Sequence, residues 1–426
     1  MDFTSKTLSS AVLGVCAAGL FVVAVNAQAP SFLPSPGVAP SEANHFVETP
    51  KGWVHPRTAW GDPDLTGVWP IAHGLNLVRT CPRGGGPGRG GPAGGGRGAA
   101  GAPAPAAPAA APSTPAAPPC DPNNPPLFKT AEVYQADVER ALGVRKTGDA
   151  ATQAIAALAT GTGSLGAALQ SSASDPTFPE RQTSMIVDPP NGKLPELTAE
   201  GKRRSALMKS SWQTADETVD IPPPGSKQTL AIWDAPEDFD SWDRCITRGM
   251  PTSMMPYRYN NGINILQAPG MVVLSLEMIH EDRIVYTDGR PPLKPAFKAY
   301  MGEPRGRWQG NTLVITTTNY KEGPSGTNIG VFGSPNGNRW PVSDQMKTTE
   351  RLTRLNDNTI LYEIKVEDPL IMVQPYTVRY PLRLNNSYEW WEYNCHEGNR
   401  TIRDYINGSR KQRGLPVGDT NTVPTR

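Results

Sequence analysis

Alternation of apolar and polar positions dominates the C-terminal half of the chain. Residues 271–280 place Val272, Leu274, Leu276, Met278 and His280 on one face, with Ser275 and Glu277 on the other. That period of two marks a strand with one buried face. Ile360, Tyr362, Ile364 and Val366 repeat the pattern against Glu363, Lys365 and Glu367. Glu350 shares a face with Thr348 and Leu352, and Arg351 points the other way. The pattern predicts strands at 263–267, 271–280, 283–288, 346–355, 359–367 and 388–396, with two more in the hairpin that contains Trp308. Turn residues separate them: Pro269-Gly270, Glu281-Asp282, Gly310-Asn311, 356–358 and Asn385-Asn386. About eight such strands close a small antiparallel barrel that holds one ligand. The expected fold is mainly β, an antiparallel barrel of about eight strands with an N-terminal arm and a few helices.

The other segments follow from composition. Residues 1–27 carry an apolar run and end in Val25-Asn26-Ala27, which predicts a signal peptide cleaved after Ala27. Residues 28–82 form a polar leader and a docked arm, with the tryptophans of 53–69 available for burial. Residues 83–119 are rich in glycine, alanine and proline, and lack the apolar surface to fold, so a disordered insertion is expected. Residues 120–240 read as helical and irregular structure packed on the barrel. Within them, 128–171 is alanine-rich, and 197–212 is a helix with Thr198 as N-cap. The barrel spans 241–408, and a polar, frayed tail spans 409–426. The glycine-rich 323–337 is expected as a long loop able to act as a lid.

Lysine and arginine total 41 against 40 acidic residues. This balance gives no electrostatic basis for binding nucleic acid. No segment after the signal is apolar enough to span a membrane. Signal cleavage leaves Cys81, Cys120, Cys245 and Cys395. Four cysteines in an exported chain suggest two disulfides, with three possible pairings, and proximity favours Cys81–Cys120 and Cys245–Cys395. A periplasmic or secreted location is expected.

The chemistry is less legible. No nucleophile elbow, phosphate loop, zinc-binding helix motif or haem attachment motif occurs, so no cofactor is implied. No two histidines have usable local metal-ligand spacing, so no metal is assigned either. In a regular strand, Tyr388, Trp390, Glu392, Asn394 and His396 would share a polar-aromatic face. His396 is the best candidate acid–base group, with Glu392 or Glu397 beside it, and His280 is the second. Glu277 and His280 point to opposite faces of a regular strand, so they cannot share one metal. A Cys245–Cys395 bridge would bring Arg244 towards His396. Arg307 and Arg351 are candidates for clamping an anion. Trp308, Tyr388 and Trp390 are candidate ligand contacts, with Arg244, Glu277 and Arg307. Each of these residue types also serves core packing, strand-end hydrogen bonding or surface ion pairing.

The segments Trp60-Gly-Asp-Pro-Asp-Leu-Thr-Gly-Val-Trp, Met185-Ile-Val-Asp-Pro-Pro-Asn-Gly-Lys-Leu-Pro, Gly306-Arg-Trp-Gln-Gly-Asn-Thr-Leu-Val-Ile-Thr-Thr-Thr-Asn and Tyr393-Asn-Cys-His-Glu-Gly-Asn span most of the mature chain. Together they resemble a widespread family of exported bacterial proteins without an assigned activity. The resemblance implies a lipocalin-like barrel with an N-terminal arm, and supplies no catalytic residues. Three functions are compatible with these readings. The first is binding of a small hydrophobic or aromatic molecule in a barrel pocket. The second is a cofactor-free hydrolase, lyase or isomerase that uses a His/Glu pair. The third is a structural, envelope-interaction role.

Overall fold

The computed structural model describes residues 49–71, 75–81, 120–121, 125–137, 180–207, 233–256, 260–322 and 340–417. The expected signal segment, the 83–119 insertion, the 323–337 loop and all of the 128–171 segment beyond residue 137 lie outside the described residues.

Among the described residues, ten strands form one sheet. They are β1 (Gly67–Val68), β2 (Ile186–Asp188), β3 (Ile263–Ala268), β4 (Met271–Leu276), β5 (Glu281–Tyr286), β6 (Glu303–Gln309), β7 (Thr312–Thr318), β8 (Lys347–Asn356), β9 (Thr359–Glu367) and β10 (Tyr376–Arg383). Their order is β1-β3-β4-β5-β6-β7-β8-β9-β10-β2. β3 to β10 are a meander, antiparallel throughout except for a short parallel contact between β5 and β6. The hairpin turns fall where glycine and asparagine predict them. Ala268 faces Met271 across Pro269-Gly270, Gln309 faces Thr312 across Gly310-Asn311, and Asn356 faces Thr359. Gly270 and Gly310 sit at φ +74° and +58°, which side-chain-bearing residues adopt at a cost.

The sheet is mainly β, as expected, but it is a curled half-barrel of ten strands and not a closed barrel of eight. The edge strands β1 and β2 do not pair with each other. The N-terminal arm connects the two edges. Val68 and Trp69 run beside β3, and further along the Ile186 N–H donates to the Leu77 carbonyl. Arg79 fastens that end by donating to the carbonyls of Pro190 (2.7 Å) and Ile186 (3.1 Å). Trp69 is fully buried, while Trp60 stays partly exposed and bonds Asp62 beside it.

Three expected elements differ. β4 stops at Leu276, and residues 278–280 form a tight turn in which Ile279 and His280 sit at φ +63° and +51°. Glu281 and Asp282 therefore open β5 rather than making the turn. Tyr388–His396 is not a strand. The last strand of the meander is instead β10, which alternation misses because six of its eight residues are buried on both faces and Pro381 interrupts it. Helix α1 (Ala199–Leu207) is capped as expected, with the Gly201 N–H donating to Thr198 Oγ1 at 3.0 Å. The expected frayed tail begins later than Ser409. Helix α2 (Thr401–Gln412) runs through it, and buried Ser409 accepts a hydrogen bond from the Trp233 N–H at 3.0 Å.

The concave face is occupied by the protein's own side chains. Ile263, Ile265, Leu274, Val285, Ile315, Leu352, Ile364 and Leu382 belong to one contiguous buried core with Met250, Met254 and Met255 from the segment before β3. The Tyr380 hydroxyl donates to the Met254 carbonyl, which anchors that segment against β10. At the centre of the core, Arg283 on β5 faces Glu350 on β8 in a two-pronged ion pair of 2.9 and 2.5 Å, and neither side chain reaches solvent. Two other strands separate β5 from β8, a spacing of roughly 14 Å in a flat sheet. Only a curled sheet brings the two groups together. The Tyr362 hydroxyl donates to Glu350 at 2.7 Å. Burial opposes the charge on Arg283, but the facing Glu350 carboxylate overcomes it and holds the guanidinium pKa above its ordinary value.

Candidate functional site

A cleft of about 560 Å³ lies at the rim of the half-barrel. One wall is Ile279 and His280, in the turn between β4 and β5. Another is Cys245 and Ile246, at the start of the segment that enters the concave face. The third is residues 393–397, an irregular stretch that carries Tyr393, Asn394, Cys395, His396 and Glu397. Two covalent facts fix these walls relative to one another. The Cys245–Cys395 disulfide joins the second and third, and the chain from His280 into β5 ties the first to the sheet. Asn399 reinforces the disulfide side, donating to the Asp243 carbonyl at 3.1 Å.

The stretch before the third wall is pinned from below by Glu277. This buried carboxylate accepts hydrogen bonds from the Tyr388 hydroxyl (2.5 Å), the Trp391 N–H (2.8 Å), the Gly262 N–H (2.9 Å) and Asn260 (3.1 Å). Gly262 permits the approach. A Cβ there would lie 2.9 Å from atoms of Glu277, Trp390 and Tyr388, closer than packed atoms come. Next in the chain after the cleft-lining His280, Glu281 accepts from the Thr247 hydroxyl at 2.7 Å. Burial pushes its carboxyl up to about 7, against the hydrogen bonds from Thr247 and Ser253 and the nearby guanidinium groups of Arg283 and Arg248. Glu281 thus ties the Cys245–Ile246 wall to the Ile279–His280 wall, one residue beyond each.

The structure brings some expected site residues together and scatters others. His280 and His396 share the cleft, with the His280 ring edge-on to Tyr393 at 6.4 Å between centroids. Both imidazoles lie at the rim and are exposed, outside the concave face. Among the described residues no hydrogen bond joins His396 to Glu392 or Glu397. Glu392 is exposed just outside the cleft lining. Glu277 and Tyr388 are spent on each other and on the backbone, so their expected role as ligand contacts gives way to a scaffolding one. Trp308 packs partly buried against the core, and Arg307 is exposed on β6. Neither lines the cleft, and Arg244 does not line it either, although the disulfide places its neighbour there. Trp390 is 43% exposed and does not line the cleft. Asn394, on the expected polar-aromatic face, does line the cleft, whereas Ile246, Ile279 and Tyr393 line it without being expected to. Their one sequence signal is adjacency to the paired cysteines and to His280.

Both disulfides join the cysteines that proximity favours, Cys81–Cys120 and Cys245–Cys395. Among the described residues no group of three or more histidine, cysteine or acidic side chains is arranged to hold a metal ion, and no helix is long and apolar enough to cross a membrane. No family model, no curated protein and no solved structure matches the chain.

Proposed function

We propose that the protein is an exported, soluble binder of a small hydrophobic or aromatic molecule, held in the rim cleft between His280, Ile246 and Tyr393. The observation that carries this reading is the cleft itself. It is of ligand size, and its walls set Ile246, Ile279 and Tyr393 beside the hydrogen-bonding groups of His280, Asn394, His396 and Glu397. The concave face, where a lipocalin-like protein would hold its ligand, is packed with Met250, Met254, Tyr362 and Tyr380. Two disulfides are compatible with an oxidising compartment outside the cytoplasm. The resemblance to exported bacterial proteins supports the same location.

Native mass spectrometry of the mature protein from its own host's envelope tests the reading. A small-molecule adduct on the wild type that is lost in Tyr393→Ala supports it. An adduct that survives Tyr393→Ala and Ile246→Asp places the ligand elsewhere and overturns it. One observation favours a second reading, a cofactor-free enzyme: His280, His396 and Glu397 line the same cleft. Turnover that is lost in His396→Ala but retained in Glu281→Gln would favour catalysis over binding.

A further inference from the structure

We infer that the Cys245–Cys395 disulfide is a thiol-exchange site, opened at Cys395 by a small organic thiol that enters through the rim cleft. The inference goes beyond the binding reading and stands whether or not the cleft also holds a ligand.

Both cysteines line the cleft, whose 560 Å³ has room for a small thiol. Their exposure is unequal. Cys245 is buried at 6%, whereas Cys395 is half-buried on an irregular stretch. A thiolate arriving from the cleft therefore meets Cys395, and Cys245 becomes the leaving group. The fold provides for the charge that then develops on Cys245. The Asn399 side-chain amide donates to Cys245 Sγ at 3.3 Å and to the Asp243 carbonyl at 3.1 Å. An amide donor already in place stabilises a thiolate more than a disulfide sulfur, because the hydrogen bond becomes charge-assisted.

The backbone around the same cleft is strained. Among the described residues, five that carry side chains sit at positive φ. Two are Asn260 and Asn319, a residue type that tolerates this region. The other three, Cys245 (+56°), Ile279 (+63°) and His280 (+51°), all line the cleft. Such backbone is costly, most of all at a β-branched residue, and persists only where its surroundings hold it. At Cys245 the disulfide is one holding contact, and the Cys245 N–H, donating to the Trp242 carbonyl at 2.8 Å, is another. Trp242 also reaches the third wall, through a long bond of 3.4 Å from Nε1 to the Tyr393 hydroxyl. Breaking the S–S bond thus removes the covalent tie between two walls, one of them strained at the cysteine itself.

The exchange balances in two steps. The incoming thiolate forms a bond to Cys395 Sγ and expels Cys245 as a thiolate, which takes up the proton that the attacking thiol released. A second thiol then attacks the small molecule's sulfur in the mixed disulfide. Cys395 leaves and takes that thiol's proton. The protein gains two thiols, and the small thiol is oxidised to its disulfide.

The test uses the wild-type protein with both disulfides formed, and 2-mercaptoethanol as the thiol. Acid quenching, alkylation and peptide mapping follow each disulfide separately, in urea well below the unfolding midpoint. The expected result is a mixed disulfide on Cys395. Its rate of formation should be proportional to thiol concentration and change by less than about twofold across that urea range, since a site open in the native state needs no global unfolding. Dithiothreitol should then carry the pair to two thiols, with faster hydrogen exchange across 393–397. A rate that climbs with urea in step with unfolding makes the disulfide a structural staple and overturns the inference. An adduct on Cys245, or unchanged hydrogen exchange across 393–397 after reduction, overturns it as well.

Discussion

Removing the carboxylate of Glu350 strands a charge at the centre of the core. In Glu350→Leu, the Arg283 guanidinium loses both of its hydrogen bonds to the carboxylate while remaining fully enclosed, and the Tyr362 hydroxyl loses its acceptor. Breaking a buried pair from one side costs about 3–5 kcal/mol, mostly the desolvation of the partner left behind. At a urea dependence of about 3 kcal/mol per molar, a 4 kcal/mol loss moves the unfolding midpoint down by about 1.3 M. The triple variant Arg283→Met/Glu350→Leu/Tyr362→Phe removes the charge, its partner and the orphaned hydroxyl together. Apolar replacement of a whole buried ion pair is commonly neutral or stabilising, so the triple variant should return to within about 1 kcal/mol of the wild type or exceed it. The assay is equilibrium urea unfolding at neutral pH with both disulfides intact, followed by fluorescence. If Glu350→Leu costs less than about 1 kcal/mol, or the triple variant is as unstable as the single one, the pair is not the enclosed, mutually dependent unit described above.

Four further outcomes follow from the site. Glu281 has its carboxyl at about 7 in the native state against an ordinary value of 4.5. Between these values the folded protein alone keeps the proton, so stability falls as pH rises through that window, by about 2–3 kcal/mol after allowance for partial exposure. In Glu281→Gln the urea midpoint difference between acid and neutral pH should shrink by about 0.7–1 M at a urea dependence of about 3 kcal/mol per molar, and an unchanged difference would contradict the burial argument. Paired Cys245→Ser and Cys395→Ser substitutions open a loop of 150 residues. Up to about 5 kcal/mol is lost in the loop-entropy account, and proteolysis should then cut first within 388–399. Gly262→Ala must displace Glu277, Tyr388 or Trp390, so it should destabilise by about 1–3 kcal/mol and raise hydrogen exchange at the Trp391 amide. Glu277→Ala leaves four donors without their acceptor and should cost at least about 3 kcal/mol. A smaller loss in thermal unfolding would mean that water replaces the carboxylate.

The sequence by itself determined that seven strands, β3 to β9, follow one another along the chain, though not the early end of β4 or the parallel contact between β5 and β6. Alternation along 271–276 and 359–367 fixed which faces are buried, and glycine and asparagine fixed the β3–β4, β6–β7 and β8–β9 turns, because both signals are local; the β4–β5 turn, which has neither residue, falls at 278–280 and not at Glu281-Asp282. Residue identity and loop length also pointed to both disulfide partners and to the Thr198 cap. Tertiary structure alone decided the rest. Whether the sheet closes depends on how edge strands from distant segments, 67–68 and 186–188, meet the meander, and no local pattern encodes that. β10 carries no strand signal in the sequence because burial on both faces erases alternation. The 388–396 stretch alternates like a strand, yet Glu277 takes up its Tyr388 hydroxyl and Trp391 amide from 111 and 114 residues away, and so it stays irregular. His280 reaches the cleft only because the chain turns at Ile279, in a left-handed conformation that side-chain-bearing residues rarely adopt. Glu350 and Glu277 are the same residue type on comparable strand patterns. One neutralises a buried arginine and the other organises backbone amides, and the difference lies wholly in which distant groups the fold delivers to them.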